Sequence, residues 1–167
     1  MKKQLLFLFI IFCCIEVQAQ SDELWNKVNS VSITGKPNDN HAVQQKTYYT
    51  LNEVFLKQKL SKATGKSSAN NTSVITIPNS DGTLERFVIW ESSNFEPELQ
   101  AKFPDIRAYK GYGLDDRTAK IHFSFSPTGI QTMVLRHNKV SEFIEKNIEN
   151  KSEYVLFTSK SSNQLNA

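Results

Sequence analysis

The chain has 167 residues, of which 39% are hydrophobic and 22% are charged, and its formal net charge at pH 7 is +3. This length suits one domain with a sizeable core. So small a net charge argues against a nucleic-acid partner or an anionic membrane surface.

Residues 1–19 have the pattern of a secretory signal peptide. Two lysines precede an apolar run that ends near Ile15. This run is shorter than the roughly 18 residues that a membrane-spanning helix needs, so we expect cleavage after Ala19 rather than a retained anchor. The sequence therefore predicts an exported protein, periplasmic or extracellular. Both cysteines, Cys13 and Cys14, would leave with the signal, so the mature chain would have no disulfide and no cysteine metal ligand.

Residues 20–50 are polar and weakly patterned, and we interpret them as a lead-in to the folded module. Thr50 and Glu53 then have the spacing of a capping box, in which each side chain binds the backbone amide of the other residue. The apolar residues that follow lie on one arc of a helix: Phe55, Leu56, Leu60 and Ala63. The spacing predicts a helix over residues 51–63, followed by a flexible linker over residues 64–72.

From Ser73 onward the apolar pattern is typical of strands joined by tight turns. About seven strands are predicted, near residues 73–78, 84–91, 106–113, 119–126, 130–136, 140–145 and 154–158. Asp81-Gly82 supplies the turn of the first hairpin. The clearest alternation is in the fourth strand, which has four apolar residues on one face: Ala119, Ile121, Phe123 and Phe125. Short connections favour antiparallel pairing.

A second short helix is predicted after Ser93-Asn94, with Pro97 in its first turn and Pro104 ending it. Its apolar residues are Phe95, Leu99 and Phe103. The predicted fold class is α+β, a mainly antiparallel β-sheet of about seven strands with two short helices packed on it. This module spans residues 51–158, and residues 159–167 are interpreted as a flexible tail or an interdomain junction.

The histidines lack the spacing of a metal site. His41, His122 and His137 are far apart, and none belongs to the His-Glu-x-x-His pattern that places two imidazoles on one helix face. His122 is predicted on the polar face of a strand and His137 in a hairpin turn. We interpret both as surface histidines.

Other patterns indicate structure rather than chemistry. Ser124 lies on a regular strand, without the strained turn of a serine nucleophile. Gly111 and Gly113 lack the third glycine of a phosphate-binding loop, so a tight turn or bulge is predicted there. Asp115 and Asp116 suit a turn better than an acid–base pair or a calcium loop. We therefore expect no catalytic residue, no cofactor-binding residue, no metal-binding residue and no enzymatic activity in this chain.

Short motifs follow one another in a fixed order through residues 73–158. They are Ile77-Pro78-Asn79, Gly82, Glu85-Arg86-Phe87, Glu91-Ser92-Ser93, Pro97-Glu98-Leu99, Ala101-Lys102-Phe103-Pro104-Asp105-Ile106, Tyr109-Lys110-Gly111, Gly113, and Phe123-Ser124-Phe125-Ser126-Pro127 with Gly129. In their order and spacing the chain resembles the N-terminal pro-region of secreted reprolysin-like (metzincin) zinc metallopeptidases, of the kind made by Bacteroidota. The resemblance implies a propeptide that covers the active-site cleft or helps the peptidase domain to fold.

The implied partner is a metallopeptidase catalytic domain, in cis or in trans, contacted through the sheet and its strand edges. The sequence reaches Ala167 without a zinc-binding helix, so we expect a fragment or remnant of a zinc metalloprotease precursor. We expect no nucleic-acid partner, no cofactor and no membrane association after signal cleavage. The alternative is a stand-alone extracellular β-rich binding module for carbohydrate or a surface protein, with four tyrosines as stacking platforms: Tyr48, Tyr49, Tyr109 and Tyr112. An enzyme site built from scattered acids is a third hypothesis.

Overall fold

A computed structural model describes residues 24–28, 46–64, 71–93 and 95–159. The predicted signal peptide, most of the predicted linker and nearly all of the predicted tail lie outside these ranges. The described residues form nine strands and two helices: β1 (Trp25–Val28), β2 (Thr47–Leu51), α1 (Glu53–Leu60), β3 (Ser73–Pro78), β4 (Leu84–Glu91), α2 (Pro97–Lys102), β5 (Arg107–Gly113), β6 (Lys120–Ser126), β7 (Gly129–Leu135), β8 (Glu142–Lys146) and β9 (Tyr154–Thr158).

All nine strands belong to one antiparallel sheet, in the order β1-β2-β9-β8-β7-β6-β5-β4-β3. The strands from β3 to β9 pair in sequence order, because tight turns join most of them. The Asp81-Gly82 turn is confirmed, with Gly82 at a φ of 81°. The mainly antiparallel α+β class is confirmed, but the sheet has two strands more than the sequence predicted.

Of the two additional strands, β1 lies within residues 20–50, which were interpreted as a polar lead-in, and β2 begins within them and ends at Leu51. Strand β1 pairs with β2, and β2 pairs with β9, so both belong to the sheet rather than to a lead-in. Their main inward side chains, Trp25 and Tyr49, are 4% and 3% exposed. Strands this short carry too few inward residues to give a recognisable alternation.

The sheet curves until its two end strands meet. Trp25, on β1, donates a hydrogen bond from Nε1 to the backbone oxygen of Thr76, on β3, at 2.9 Å. The inward side chains of the other strands form one continuous core with helix α1, which includes Phe87, Ile89, Ile121, Ile144 and Leu156. The curvature thus gives the sheet an inner face, covered by α1, and an outer face.

Helix α1 packs on the inner face through Leu56 and Leu60. The predicted capping box is wrong, because Thr50 belongs to β2 and the N-cap is Asn52, whose Oδ1 accepts from the amide of Phe55 at 3.0 Å. The Glu53 carboxylate accepts hydrogen bonds from Tyr154 at 2.9 Å and Lys146 at 3.2 Å. The helix is therefore shorter than residues 51–63 and is fixed to the sheet at its first turn.

Helix α2 departs from the prediction in its packing. None of its residues is buried, and the apolar side chains of Phe95, Leu99 and Phe103 are 37%, 41% and 49% exposed. The helix begins after Glu96 rather than after Ser93. Polar contacts fix its position, since the Gln100 side chain bonds to Ser93 Oγ at 2.6 Å and to the backbone oxygens of Phe103 and Ile106.

Gly111 lies inside strand β5, in regular pairing with Ile89 and Ile121. The turn or bulge predicted at this position is therefore wrong. A Cβ atom on Gly111 would stand 2.1 Å from the backbone oxygen of Val88. Glycine is required here because the neighbouring strand passes too close for any side chain.

We expect Gly111→Ala to lower the free energy of unfolding by about 1–3 kcal/mol, because the added methyl group must push two backbones apart. The matched control is Ser124→Ala on neighbouring β6, which should stay within about 0.5 kcal/mol of the wild type. Urea denaturation followed by tryptophan fluorescence measures both. Equal midpoints for the two variants would contradict the close approach.

Candidate functional site

One row of side chains crosses the outer face of the sheet from β4 to β9. Consecutive cross-strand partners form this outer row: Trp90, Lys110, His122, Met133, Phe143 and Phe157. Since side chains alternate along a strand, the residues on either side of each member face the core. The outer row combines aromatic, apolar and charged groups on a surface that α1 does not cover.

Small residues beside the outer row leave a groove. Ala108 and Ser124 are cross-strand partners on β5 and β6, and the amide of Ser92 donates to the backbone oxygen of Ala108 at 2.8 Å. The resulting concavity, which we call the outer groove, has a volume of about 590 Å³. Six larger side chains from four strands line it: Lys110, His122, Gln131, Met133, Phe143 and Glu145.

The basic and acidic groups of the outer groove lie on different strands. Lys110 and His122 stand on β5 and β6, and Glu145 stands on β8. Three strand spacings separate β5 from β8, which is roughly 14 Å. Among the described residues, none forms an ion pair or side-chain hydrogen bond with any of these three. One end of the groove can therefore attract an anion and the other a cation.

Two aromatic pairs flank the outer groove. Trp90 and Tyr112 have ring centroids 6.1 Å apart at 56°, and Phe143 and Phe157 are stacked at 5.5 Å and 19°. All four residues are half-buried on the outer face. Such rings offer large contact area at a low cost in side-chain entropy.

The outer groove brings together a serine, a histidine and a carboxylate without forming a catalytic set. His122, Ser124 and Glu145 all line it, but no hydrogen bond joins any two of them in the part of the chain that the structure describes. A serine nucleophile needs a base within hydrogen-bond reach. His137 lies between β7 and β8 and does not line the groove, and His41 lies outside the described residues.

No group of three or more His, Cys, Asp or Glu residues is arranged to hold a metal ion within residues 24–28, 46–64, 71–93 and 95–159. The prediction of a turn at Asp115-Asp116 is confirmed, and the two carboxylates have separate partners. Side-chain and backbone hydrogen bonds from Arg86 lower the pKa of Asp115. Hydrogen bonds from the hydroxyl and amide of Thr118 lower the pKa of Asp116. The two adjacent carboxylates are therefore each held by a different hydrogen-bond partner in this turn.

A second cavity, of about 200 Å³, lies beside the β3–β4 and β7–β8 turns. Arg136, whose side chain is 3% exposed, forms ion pairs there with Glu85 and Glu142, and its Nε lies 3.5 Å from Asp116. Burial lowers the pKa of Arg136, but hydrogen bonds and attraction from Glu85 and Glu142 outweigh that effect and raise it. Ser80 also donates to Glu142 at 2.6 Å. This cluster joins the β3–β4, β5–β6 and β7–β8 turns, so we expect it to stabilise the fold.

Two of the four tyrosines expected as stacking platforms are buried. Tyr49 is 3% exposed and Tyr109 is 7% exposed, so the expectation is wrong for both. Burial, with the nearby charge of Glu91, raises the pKa of Tyr109 to about 12. Tyr48 and Tyr112 remain half-buried on the outer face.

The free edge of strand β3 is partly occupied. The backbone oxygen of Val74 accepts from Lys59 Nζ at 3.2 Å, and that of Thr76 accepts from Trp25. An edge strand binds a partner strand only through free backbone groups. Two backbone oxygens of β3 are therefore already engaged and are not free for the predicted pairing with a partner strand.

Comparison with known proteins gives no relative: no family model, curated protein or solved structure matches this chain. In the described ranges, none of the helices has the length and apolar character needed to cross a membrane.

We expect Arg136→Met to lower the free energy of unfolding by about 3–5 kcal/mol, because it leaves buried carboxylates without a counter-charge. The matched control is Arg86→Met, which breaks the ion pair with Asp115 at a side chain that is 61% exposed. Exposed ion pairs stabilise little, so the control should lose far less. Denaturant titrations of both variants measure the difference, and similar losses would contradict the structural role of Arg136.

The carboxyl of Asp115 should titrate below its ordinary pKa of 3.8. A lowered pKa means that the ionised form stabilises the fold above the unfolded-state pKa, and that this stabilisation is lost as the pH falls. In Arg86→Met, the pKa of Asp115 should rise, while that of Asp116 stays low because Thr118 still donates to it. Carboxyl ¹³C NMR titration measures both groups. An unchanged pKa of Asp115 in the variant would contradict Arg86 as the cause of the lowered pKa.

Proposed function

We propose that this chain is a non-catalytic exported module that acts by binding a protein partner. The observation that carries the proposal is the outer groove, which combines half-buried aromatic side chains with charges that pair with no described residue, and in which no described residue activates a nucleophile. Inner-face residues are already engaged by α1, so the outer face of the sheet, rather than its inner face, is available to a partner.

The proposed partner is the catalytic domain of a secreted zinc metallopeptidase, in cis or in trans. The support is the ordered motif pattern of residues 73–158, which resembles the pro-region of reprolysin-like enzymes. Three of those motifs supply residues of the outer groove, since Ser92, Lys110 and Ser124 each belong to one of them. Part of the motif pattern therefore lies at the groove, whereas Ile77 and Phe87, from other motifs, are buried in the core.

The proposed action is steric cover of the peptidase cleft or assistance in folding the peptidase domain. Latency through a cysteine ligand to zinc is not part of it, because the chain has no cysteine beyond Cys14. A rigid face suits both actions, since a preorganised surface loses little entropy on binding. The sheet provides this rigidity through its core and the Trp25–Thr76 hydrogen bond.

The test mixes the purified chain, produced without residues 1–19, with the peptidase domain encoded nearest to it. At a stoichiometric ratio we expect the peptidase activity to fall, or the refolding yield of the peptidase domain to rise. The chain alone should cleave no peptide substrate. An equal concentration of an unrelated folded protein serves as the control for non-specific protein effects.

An unchanged activity together with an unchanged refolding yield would contradict the proposed function. Binding of a neutral oligosaccharide in its place would support the alternative, a stand-alone carbohydrate-binding module.

A further inference from the structure

The outer groove presents an ordered series of chemical groups from one end to the other. Lys110 and His122 are at the β5–β6 end, Met133 follows on β7, and Phe143 and Glu145 are on β8. The two ends therefore differ in charge, and an apolar surface separates them. A ligand that contacts all of these groups must carry complementary acidic, apolar and basic groups in the same order.

The length of this series matches a short extended peptide. Glu145 is three strands away from Lys110 and is offset by two residues along the strand, so the two residues are roughly 16 Å apart. An extended chain rises about 3.3 Å per residue, so four or five residues span them. The groove volume of about 590 Å³ falls within the range of roughly 300–1,000 Å³ that is typical of ligand sites.

We infer that the outer groove binds an extended peptide segment of the partner that carries opposite charges about four residues apart. An acidic side chain lies at Lys110 and His122, an apolar side chain lies over Met133 and a basic side chain lies at Glu145. The inference rests on the proposed function, because it takes the partner to be a protein, and it adds the chemistry of the segment that is bound.

The small floor of the groove suits a peptide backbone. Ala108 and Ser124 project little above the sheet, so a chain can approach closely between the larger walls. The hydroxyl of Ser124 and the amide of Gln131 form no side-chain hydrogen bond with any described residue, and both can bond to the peptide groups of a ligand. Such contacts hold a backbone, while the charged ends select its sequence.

The charges favour a peptide over the other polymer classes. A nucleic acid would place its phosphates against Glu145 as well as against Lys110, which is repulsive at one end. A neutral oligosaccharide would partly desolvate Lys110 and Glu145 without supplying a counter-charge to either. A peptide of mixed charge compensates both ends.

A random heptapeptide display library tests the inference, with the wild-type chain immobilised as bait. We expect enriched sequences to carry Asp or Glu and Lys or Arg three to five residues apart, with an apolar residue between them. The double variant Lys110→Glu with Glu145→Lys should enrich the opposite order of charges. An enriched peptide should lose at least about tenfold in affinity for the double variant.

The matched control is Lys151→Glu with Glu149→Lys, which makes the same charge exchange at exposed positions in the β8–β9 turn. This control should enrich the same sequences as the wild type. Circular dichroism and thermal unfolding establish that each variant is folded. No enrichment by the wild type, or identical enrichment by wild type and groove variant, would overturn the inference.

Because the library contains no catalytic domain, it tests the peptide site independently of the proposed peptidase partner. If the peptidase domain binds equally to the wild type and the groove variant, the inference fails and the proposed function stands. If the peptidase domain does not bind while charge-patterned peptides do, the proposed partner fails and the peptide site stands. Oligosaccharide binding that Ala108→Trp abolishes, without peptide enrichment, would also overturn the peptide site.

Discussion

Closure of the sheet around helix α1 is the constraint on which the rest of the structure depends. The hydrogen bond from Trp25 to Thr76 connects the two end strands, and the inward side chains then form one core with Leu56 and Leu60. Glu53 fixes the start of the helix to Tyr154 and Lys146. This arrangement uses the inner face for stability, and the core must supply it because no cysteine lies among the described residues.

Closure also determines which surfaces can meet a partner. At the β3 edge, Lys59 and Trp25 already donate hydrogen bonds to two backbone carbonyl groups. These two groups are therefore not free to pair with a strand of another chain. The outer face has a groove, half-buried aromatic rings and charges that pair with none of the residues that the structure describes. Helix α2 adds exposed apolar side chains, but nothing in the structure indicates what covers them. A function based on surface contact therefore points to the outer groove.

Sequence patterns predicted the elements whose local signals are strong. Strand β6 alternates over its whole length, and glycine or asparagine at a positive φ marks turns at Gly82, Gly129 and Asn138. Strands β1 and β2 were missed because four or five residues with few inward side chains carry little periodicity. The spacing of Phe95, Leu99 and Phe103 indicated packing that does not occur, because spacing alone does not require a neighbouring surface.

The candidate site was not predictable as a unit. The outer groove combines Lys110, His122, Gln131 and Glu145 from four strands, and only the sheet register brings them together. The junction at Arg136 has the same origin, since it collects carboxylates from Glu85 and Glu142. Single-sequence patterns report the face of each residue but not its cross-strand neighbours. The prediction of His122 on a polar strand face was correct. The groove that His122 lines depends on the pairing of four strands, which the sequence pattern does not report.

The two tryptophans provide the most direct test of the outer face as the contact surface, because Trp90 lies on the outer row and Trp25 on the inner face. The measurement is a two-dimensional ¹H–¹⁵N NMR titration of the two indole resonances with a stoichiometric peptidase domain, together with the Met133 methyl signal. If the outer face contacts the partner, the indole signal of Trp90 and the methyl signal of Met133 shift or broaden, while the indole signal of Trp25 keeps its position. A shift of the Trp25 signal, with the Trp90 and Met133 signals unchanged, would contradict contact through the outer face.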